Sequence, residues 1–562
     1  MLSSIRQLLT LFGGLLMVLA WLIPDKYPPW TSFYNESSAG VALLLLVLAQ
    51  PSSPQRMGMP PTGWFFVALA AVPWVQWLFG LFYYSGDAWS SSLYMLGIAM
   101  AISTGYGWAQ TDAKRLAALL SVAILVAAVI SSGIALDQAL GGYPMGIWAD
   151  HLTHGFRAIG NVAQSNNLAT LIAFGVIGLL LLREQRVLGN ISSVCIAILL
   201  VSGAAATQSR TSLLYGPMLV CGLYYFSKYK SVAFVTKPLT LGIVTTIYTG
   251  LIFWFHFLLQ IVWQMSANSF ADRGLETARV NVWPILIDGL NHKPWFGYGW
   301  LQVASAQYEV ANLHPPVKEL FAQAHNLFLD LLISCGYPLG ILLCFAVIYW
   351  FITRMRKVAT VEAVFGMLLL GILGIHSMLE LPYYYSYFLI PVGLWVGLIE
   401  CSVDSMCWLS FRWKWFVCAL TSSIFIAVCW DYPKVEEDFR TARFAYLNVN
   451  ARHDSGSEVK APFLSNLVAY LQFYRTTPKP GMSNEALAAL EAVTRRYPYG
   501  RLLFGYAEAL AFNDQLSEAT KVFLKIRFIF GDSAYFSYRE ALHKKATNGT
   551  PMLVDLDQSL PY

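Results

Sequence analysis

Apolar stretches of about 20 residues, the length a helix needs to cross a hydrocarbon core, recur along most of this chain. They start near residues 8, 38, 62, 90, 116, 167, 189, 212, 238, 326, 363, 384 and 412. This pattern predicts an all-α, polytopic membrane protein of about 13 transmembrane helices. The first stretch has no small-residue cleavage site after it, so it is expected to be retained as a span. Past about residue 431 the long apolar runs stop and amphipathic helices take over. Ser483-Asn484-Glu485 opens a run through Ala486, Leu487, Leu490 and Val493, which Pro498 ends. Leu502–Ala511 and Leu516–Phe530 then pair around Asn513-Asp514.

Composition sharpens this division. The chain has 562 residues, 57% hydrophobic and only 12% charged, about half the charge of an ordinary soluble chain. Mean hydropathy is +0.52, which excludes a soluble enzyme or a disordered chain. Of the charged residues, 38 fall in 1–430 and 31 in 431–562. Two parts are therefore expected: a transmembrane domain over 1–430, with a long outer loop at 263–324, and a soluble helical domain over 431–562. Within the tail, Ala519 and Phe523 match the second helix of a tetratricopeptide repeat. Ala486 occupies the same slot 33 residues earlier, and Pro498 sits where that repeat has its proline. The spacing fits about one and a half degenerate repeats, and fits an ordinary helical hairpin equally well. Either form would present a groove to another protein.

Charge position sets orientation. Arg6, Arg56, Lys114, Arg115, Arg183, Arg186, Lys228, Lys230, Lys237, Arg354, Arg356, Lys357, Arg412 and Lys414 lie in one set of connections. The alternate short connections hold Lys26, Arg157 and Arg210. The positive-inside rule puts the first set and the N-terminus in the cytoplasm, and an odd number of spans puts the tail outside. In a Gram-negative cell the outside is the periplasm, and the protein would be a multi-pass inner-membrane protein. A net charge of +5 is too small to imply nucleic acid. The eight cysteines lie in or beside apolar runs, form no CxxC pair, and imply neither a disulfide framework nor a metal site.

Ionisable residues at membrane depth are costly and need a reason. Arg210, in Gln208-Ser209-Arg210-Thr211, reads either as a snorkelling anchor or as a cation facing an anionic head group. Arg279 precedes Trp283 and Pro284 in the long loop. His325 opens a span where that loop re-enters the membrane, beside Asn326. It could cap the helix, or act as acid or base at neutral pH. His376 and Glu380 are four apart, on one helical face. Asn161, Gln164, Asn166 and Asn167 form an amide cluster at an outer helix start. Amides suit sugar hydroxyls but also cap helices. Tyr383, Tyr384, Tyr385 and Tyr387 could form an interfacial aromatic belt. All of these fall on the predicted outer side, where arginine forks suit a lipid pyrophosphate.

At these residues the sequence resembles the O-antigen ligase/Wzy polymerase superfamily of membrane glycosyltransferases, and within it the PglL-type bacterial protein O-oligosaccharyltransferases. The matching stretches are Gly160–Ala169, Ser209-Arg210-Thr211, Arg279-x-x-x-Trp283 leading to Pro294–Gly299, Ala324–Leu329, and His376–Pro382 with Tyr385-x-Tyr387-Phe388. The resemblance implies transfer of an oligosaccharide en bloc from undecaprenyl pyrophosphate to a Ser or Thr hydroxyl of a periplasmic or pilin-like protein. It implies His325 as catalytic residue and Arg210 and Arg279 as the pyrophosphate clamp. Gln164, Asn166, Asn167, Asn326, His376, Glu380, Tyr383 and Tyr385 become candidate contacts to glycan or acceptor. It also implies inversion, with no metal and no cofactor. Two departures stand out. Gly336 fits the ligase pattern, but the next glycine is Gly340, with Leu339 in the expected place. Leu381 stands where many protein-glycosylating members have tyrosine.

Rival readings are an O-antigen ligase acting on lipid A-core, a repeat-unit polymerase, and a transporter or flippase. The soluble tail favours a protein acceptor. A transporter predicts inverted repeats and midplane charges, and the sequence shows no clear internal repeat.

Overall fold

The computed structural model describes residues 2–51, 58–141, 145–152, 157–263, 278–403, 411–446, 459–547 and 550–561. All regular structure among them is helical. The apolar part forms α1 (Leu2–Leu22), α2 (Phe33–Ala49), α3 (Pro61–Leu69), α4 (Val72–Leu78), α5 (Ser85–Leu140), α6 (Ser165–Glu184), α7 (Asn190–Thr207), α8 (Tyr215–Tyr229) and α9 (Pro238–Trp263). Then follow α10 (Ala278–His292), α11 (Val303–Val310), α12 (Leu327–Lys357), α13 (Val361–Ser377), α14 (Ser386–Ser402) and α15 (Phe411–Tyr446). The tail supplies α16 (Ser465–Arg475), α17 (Asn484–Arg496), α18 (Gly500–Phe512), α19 (Leu516–Phe530), α20 (Asp532–Thr547) and α21 (Val554–Ser559). Among the described residues, seven helices are long and apolar enough to cross a membrane, and three shorter apolar helices accompany them. The chain is a membrane protein.

Several expected spans take a different form. The stretch from residue 62 is two short helices, α3 and α4, because Pro73 at the start of α4 cannot extend the hydrogen-bond ladder of α3. The stretches from 90 and 116 run together as α5, with a break at Asp112 (φ −157°, ψ 88°). There the Asp112 carboxylate accepts a bond from Arg115 N at 2.9 Å, capping the second half as a helix start. The charged connection Asp112–Arg115 is thus a single capping turn.

The chain groups into two compact units, both discontinuous in sequence. The first holds Met1–Leu69, Leu93–Gly274 and Val347–Phe425. Helix α6 is its centre, with Leu168, Leu171, Phe174 and Leu181 fully enclosed. In lipid, apolar burial alone gives no drive for helix association, so close approach through small residues matters. Gly397 of α14 lies against the α5 backbone at Ile102 and Tyr106, where any Cβ would collide. A buried carboxylate, Glu400, accepts two bonds from Arg354 (Nε 3.1 Å, guanidinium NH2 2.9 Å) and one from Trp350. This charge reads as structural.

The second unit holds Ala70–Ser92, Leu275–Ala346 and Ile426–Tyr562. Its larger core joins Leu502, Ala507, Phe523 and Ile526 of the tail to Tyr308 and Ala311. Its smaller core joins Val282, Leu286, Val303, Ala306, Phe321 and Ala324. Helix α11 therefore has two buried faces. Val303 and Ala306 point into the loop core, and Tyr308 with Ala311 into the tail core.

Candidate active site

In the first unit the site begins where α6 begins. Gln164 precedes the helix in extended conformation but makes no local capping bond. Its amide instead donates to Glu380 Oε2 at 3.0 Å, and Asn166 Nδ2 donates to Glu380 Oε1 at 2.7 Å. Glu380 lies one turn beyond α13, held by its own N–H bonding to His376 O at 2.8 Å. The four-residue spacing of His376 and Glu380 thus works as expected although the helix proper ends at Ser377. One turn along α6 from Asn166, Thr170 Oγ1 lies 2.7 Å from His376 Nδ1 and 2.8 Å from the Tyr215 hydroxyl.

Asn166 is the hub of this cluster. Its Oδ1 accepts from Ser209 Oγ at 2.7 Å and from Arg157 NH2 at 3.0 Å. Arg157 Nε also donates to Thr207 O at 3.0 Å. Gln208 adopts the left-handed conformation (φ 46°, ψ 38°) at the end of α7. That turn swings Ser209 onto Asn166 and starts a 3-10 turn at Thr211–Leu214 behind Arg210. Arg210 is half-buried. The structure therefore brings together Gln164, Asn166, Glu380 and the Ser209 hydroxyl, with Arg210 next in the chain. Asn167 is fully buried on the same helix. Tyr385 precedes α14 and stacks on Tyr387 with centroids 5.0 Å apart, while Tyr383 packs at a tilt against Tyr384. Asn161 has another job. Its side chain bonds Leu22 O, Trp148 O and Asp150 N, which clamps the loop before α6.

In the second unit the site is the start of α12. Asn326 caps this helix, its Oδ1 accepting from Phe328 N at 3.0 Å and Leu329 N at 3.1 Å. Its carbonyl-type oxygen is thereby committed to the backbone. The His325 backbone has φ 52°, a left-handed position where histidine is tolerated better than most side chains. Four bonds at its two neighbours hold it there. Ala324 N donates to Asp330 Oδ1 at 2.7 Å, Trp283 Nε1 donates to Ala324 O at 2.8 Å, and Asn326 caps on the other side. The ring is half-buried with Phe321 edge-on at 5.7 Å.

The Pro294–Gly299 stretch serves the same helix further along, at a break in it. Helix α12 breaks at Gly336 (φ 73°), and the loop backbone docks into the break. Tyr298 N bonds Ile333 O at 2.8 Å, Gly299 N bonds Ser334 O at 3.1 Å, and Tyr337 N bonds Pro294 O at 2.7 Å. A Cβ at Gly336 would lie 2.5 Å from the Trp295 backbone. The Tyr298 hydroxyl donates to Gly289 O at 3.0 Å. Burial pushes its pKa up, further from neutral pH. Gly340, the displaced glycine, also marks a close approach, with Leu332 Cα 2.8 Å from where its Cβ would be. Arg279 lies in α10, and its side chain is outside the described residues.

Sequence reading missed Arg157, Ser209 and Thr170 as members of the amide cluster, and used Arg157 only for orientation. The available signal was position: Arg157 is one of only three basic residues in the short connections expected on the outer side.

Two family models match the chain. One, described as O-Antigen ligase, covers residues 195–344. The other, described as Virulence factor membrane-bound polymerase, C-terminal, covers residues 364–544. A General O-oligosaccharyltransferase of Acinetobacter baylyi is 27% identical over 97% of this chain and 94% of its own length. A ComP-specific O-oligosaccharyltransferase of the same organism is 24% identical over 71% of this chain and 72% of its own.

Proposed function

We infer that this chain is an O-oligosaccharyltransferase of the O-antigen ligase superfamily, a membrane enzyme that transfers a preassembled oligosaccharide to hydroxyl groups of proteins. One observation carries this reading: the likeness to a General O-oligosaccharyltransferase runs through the apolar part and the tail alike, over 97% of the chain.

The donor we propose is a glycan on undecaprenyl pyrophosphate, and the acceptor a Ser or Thr of a pilin-like or other periplasmic protein. His325 takes the acceptor hydroxyl proton as the oxygen attacks the anomeric carbon. The bond from that carbon to the pyrophosphate oxygen breaks in the same displacement, with inversion. Arg210 and Arg279 meet the charge that grows on the departing pyrophosphate, where fixed cations lower the barrier most. The defined, three-point backbone seat of His325 supports this role, since an acid–base group must be held in place. The Gln164–Asn166–Glu380 cluster sets the geometry behind Arg210 and offers polar contacts to glycan or acceptor. Asn167, His376, Tyr383 and Tyr385 complete the candidate wall, and Asn326 acts chiefly by capping.

We also propose about 13 spans with the N-terminus cytoplasmic and the tail periplasmic, in an inner membrane. Residues 1–430 would be the transmembrane domain, with an outer loop at 263–324, and 431–562 a helical tetratricopeptide-like domain. Ala519 and Phe523 are fully buried, which supports the repeat register, although Ala486 is only half-buried.

The deciding experiment pairs purified protein with an undecaprenyl-linked oligosaccharide and a pilin-like acceptor, and reads glycopeptides by mass spectrometry for wild type and His325→Ala. Transfer to protein that is lost in the variant is expected. Glycan appearing only on lipid A-core would identify a ligase instead, and movement of lipid-linked glycan without transfer would identify a flippase.

A further inference from the structure

Asp87, at the first turn of α5, is fully buried and has four hydrogen-bond contacts from three distant parts of the chain. Arg496 of the tail grips it bidentately, Nε to Oδ2 at 2.8 Å and NH2 to Oδ1 at 2.9 Å. Gln302 Nε2 donates to Oδ2 at 3.0 Å, and Asn466 Nδ2 to Oδ1 at 3.3 Å. Beside it, Gly86 N bonds Ser465 Oγ at 2.9 Å. A Cβ on Gly86 would lie 2.8 Å from Ser465 N, so the tail meets α5 backbone to backbone.

Gln302 is also the residue that precedes α11. Ser305 Oγ donates to Arg495 O at 2.9 Å, and Lys525 Nζ donates to Tyr308 O at 2.8 Å near the far end of that helix. The tail therefore holds α11 at both ends. Along α11, Gln307 Oε1 accepts from Phe321 N at 2.8 Å, and Gln307 Nε2 donates to Glu319 O at 2.9 Å. Phe321 is the ring standing edge-on to His325. An unbroken series of bonds and packed side chains thus leads from Arg496 to His325, all within one compact unit.

We propose that the Asp87–Arg496–Gln302 cluster and α11 are positioning elements for His325. The tail is then a brace for the loop that carries the histidine, and not solely a dock for acceptors. The inference rests on His325 being the catalytic residue. A misplacement of about 1 Å at a reacting group can cost about a hundredfold in rate, so loosening α11 should act on turnover.

The test uses the full-length protein with undecaprenyl-linked oligosaccharide and two acceptors, a folded pilin-like protein and a short serine peptide. Gln302→Met keeps side-chain volume and removes the amide's three bonds, to Asp87 Oδ2, to Trp300 O and from Ser305 Oγ. We expect kcat to fall about tenfold for both acceptors, with KM for each within about twofold. Unchanged kcat, or a raised KM for the folded acceptor alone, would show a docking role and overturn the brace. Ser305→Ala, a milder change, should lower kcat about two- to threefold in the same pattern. It decides the matter if Gln302→Met does not fold. His325→Ala is measured alongside. If it keeps full transfer, the catalytic reading fails, and that result stands apart from whatever the α11 variants show.

Discussion

Helices α6 and α12 both begin at an amide residue within a stretch that carries the family likeness, yet they use that amide in opposite ways. At α12, Asn326 bonds the first turn of its own helix. At α6, Gln164 makes no local cap, and it and Asn166 reach across to Glu380, more than 200 residues further along the chain. The first arrangement orders one backbone turn and so fixes His325 next to it. The second joins three segments, since Asn166 also accepts from Ser209 and Arg157. An amide at a helix start therefore reveals its role by where its bonds go, which the sequence alone cannot show.

Substitutions can break this comparison. The largest effect is expected at the residue that the Asn326 cap serves. His325→Ala should reduce transfer by about 10²–10⁴-fold, the usual share of a general base, while donor binding persists in a filter or fluorescence assay. Next comes the cross-chain amide. Asn166→Asp sets a second carboxylate against Glu380, and like charges at such distance cannot both ionise comfortably. Transfer should fall at least about tenfold, about 1.4 kcal/mol in barrier terms. Combining it with Glu380→Gln rebuilds a donor–acceptor pair and should recover much of the loss. If no recovery follows, the Asn166–Glu380 bond is not what matters there.

Smaller effects sharpen the other side. Gly336→Ala forces a Cβ toward the Trp295 backbone in a left-handed position, at a cost of order 1–3 kcal/mol. The thermal midpoint in detergent should drop, and transfer with it. Asn326→Ala should cost only about 1 kcal/mol, the worth of a helix cap. Asn326→Asp should be close to neutral in both stability and transfer, because aspartate caps as well as asparagine. A large loss of transfer in stable Asn326→Asp protein would mean that the amide meets substrate after all.

The apolar pattern was a good guide to where helices start, because burial in lipid demands long apolar runs whatever the tertiary contacts. It failed where a single residue redirects the backbone. Pro73 splits one expected span into α3 and α4, whereas the spans expected from 90 and 116 stay two helical halves that meet at the Asp112 break. For the site, His376 and Glu380 were legible from their four-residue spacing, and Arg210 from its charge at the end of an apolar run. Asp87 was not. Between Tyr84 and Trp89 it looks like an ordinary loop charge, and its ion-pair partner is 409 residues away. Spacing rules reach one or two helical turns and carry no information about such pairs. The glycines of Pro294–Gly299 and Gly336 were noticed as motif, but their meaning, a loop backbone seated in a helix break, exists only in three dimensions.

That distance between Asp87 and Arg496 has a consequence in time as well as space. A ribosome makes residue 87 long before residue 496, so most of the membrane helices can insert while the carboxylate still awaits its guanidinium. The loop bearing His325 gains its last support only when α17 and, after it, α19 are complete and folded. An unfinished chain would then sit in the membrane without a finished histidine seat. The order of synthesis would itself keep the enzyme silent until its tail has arrived.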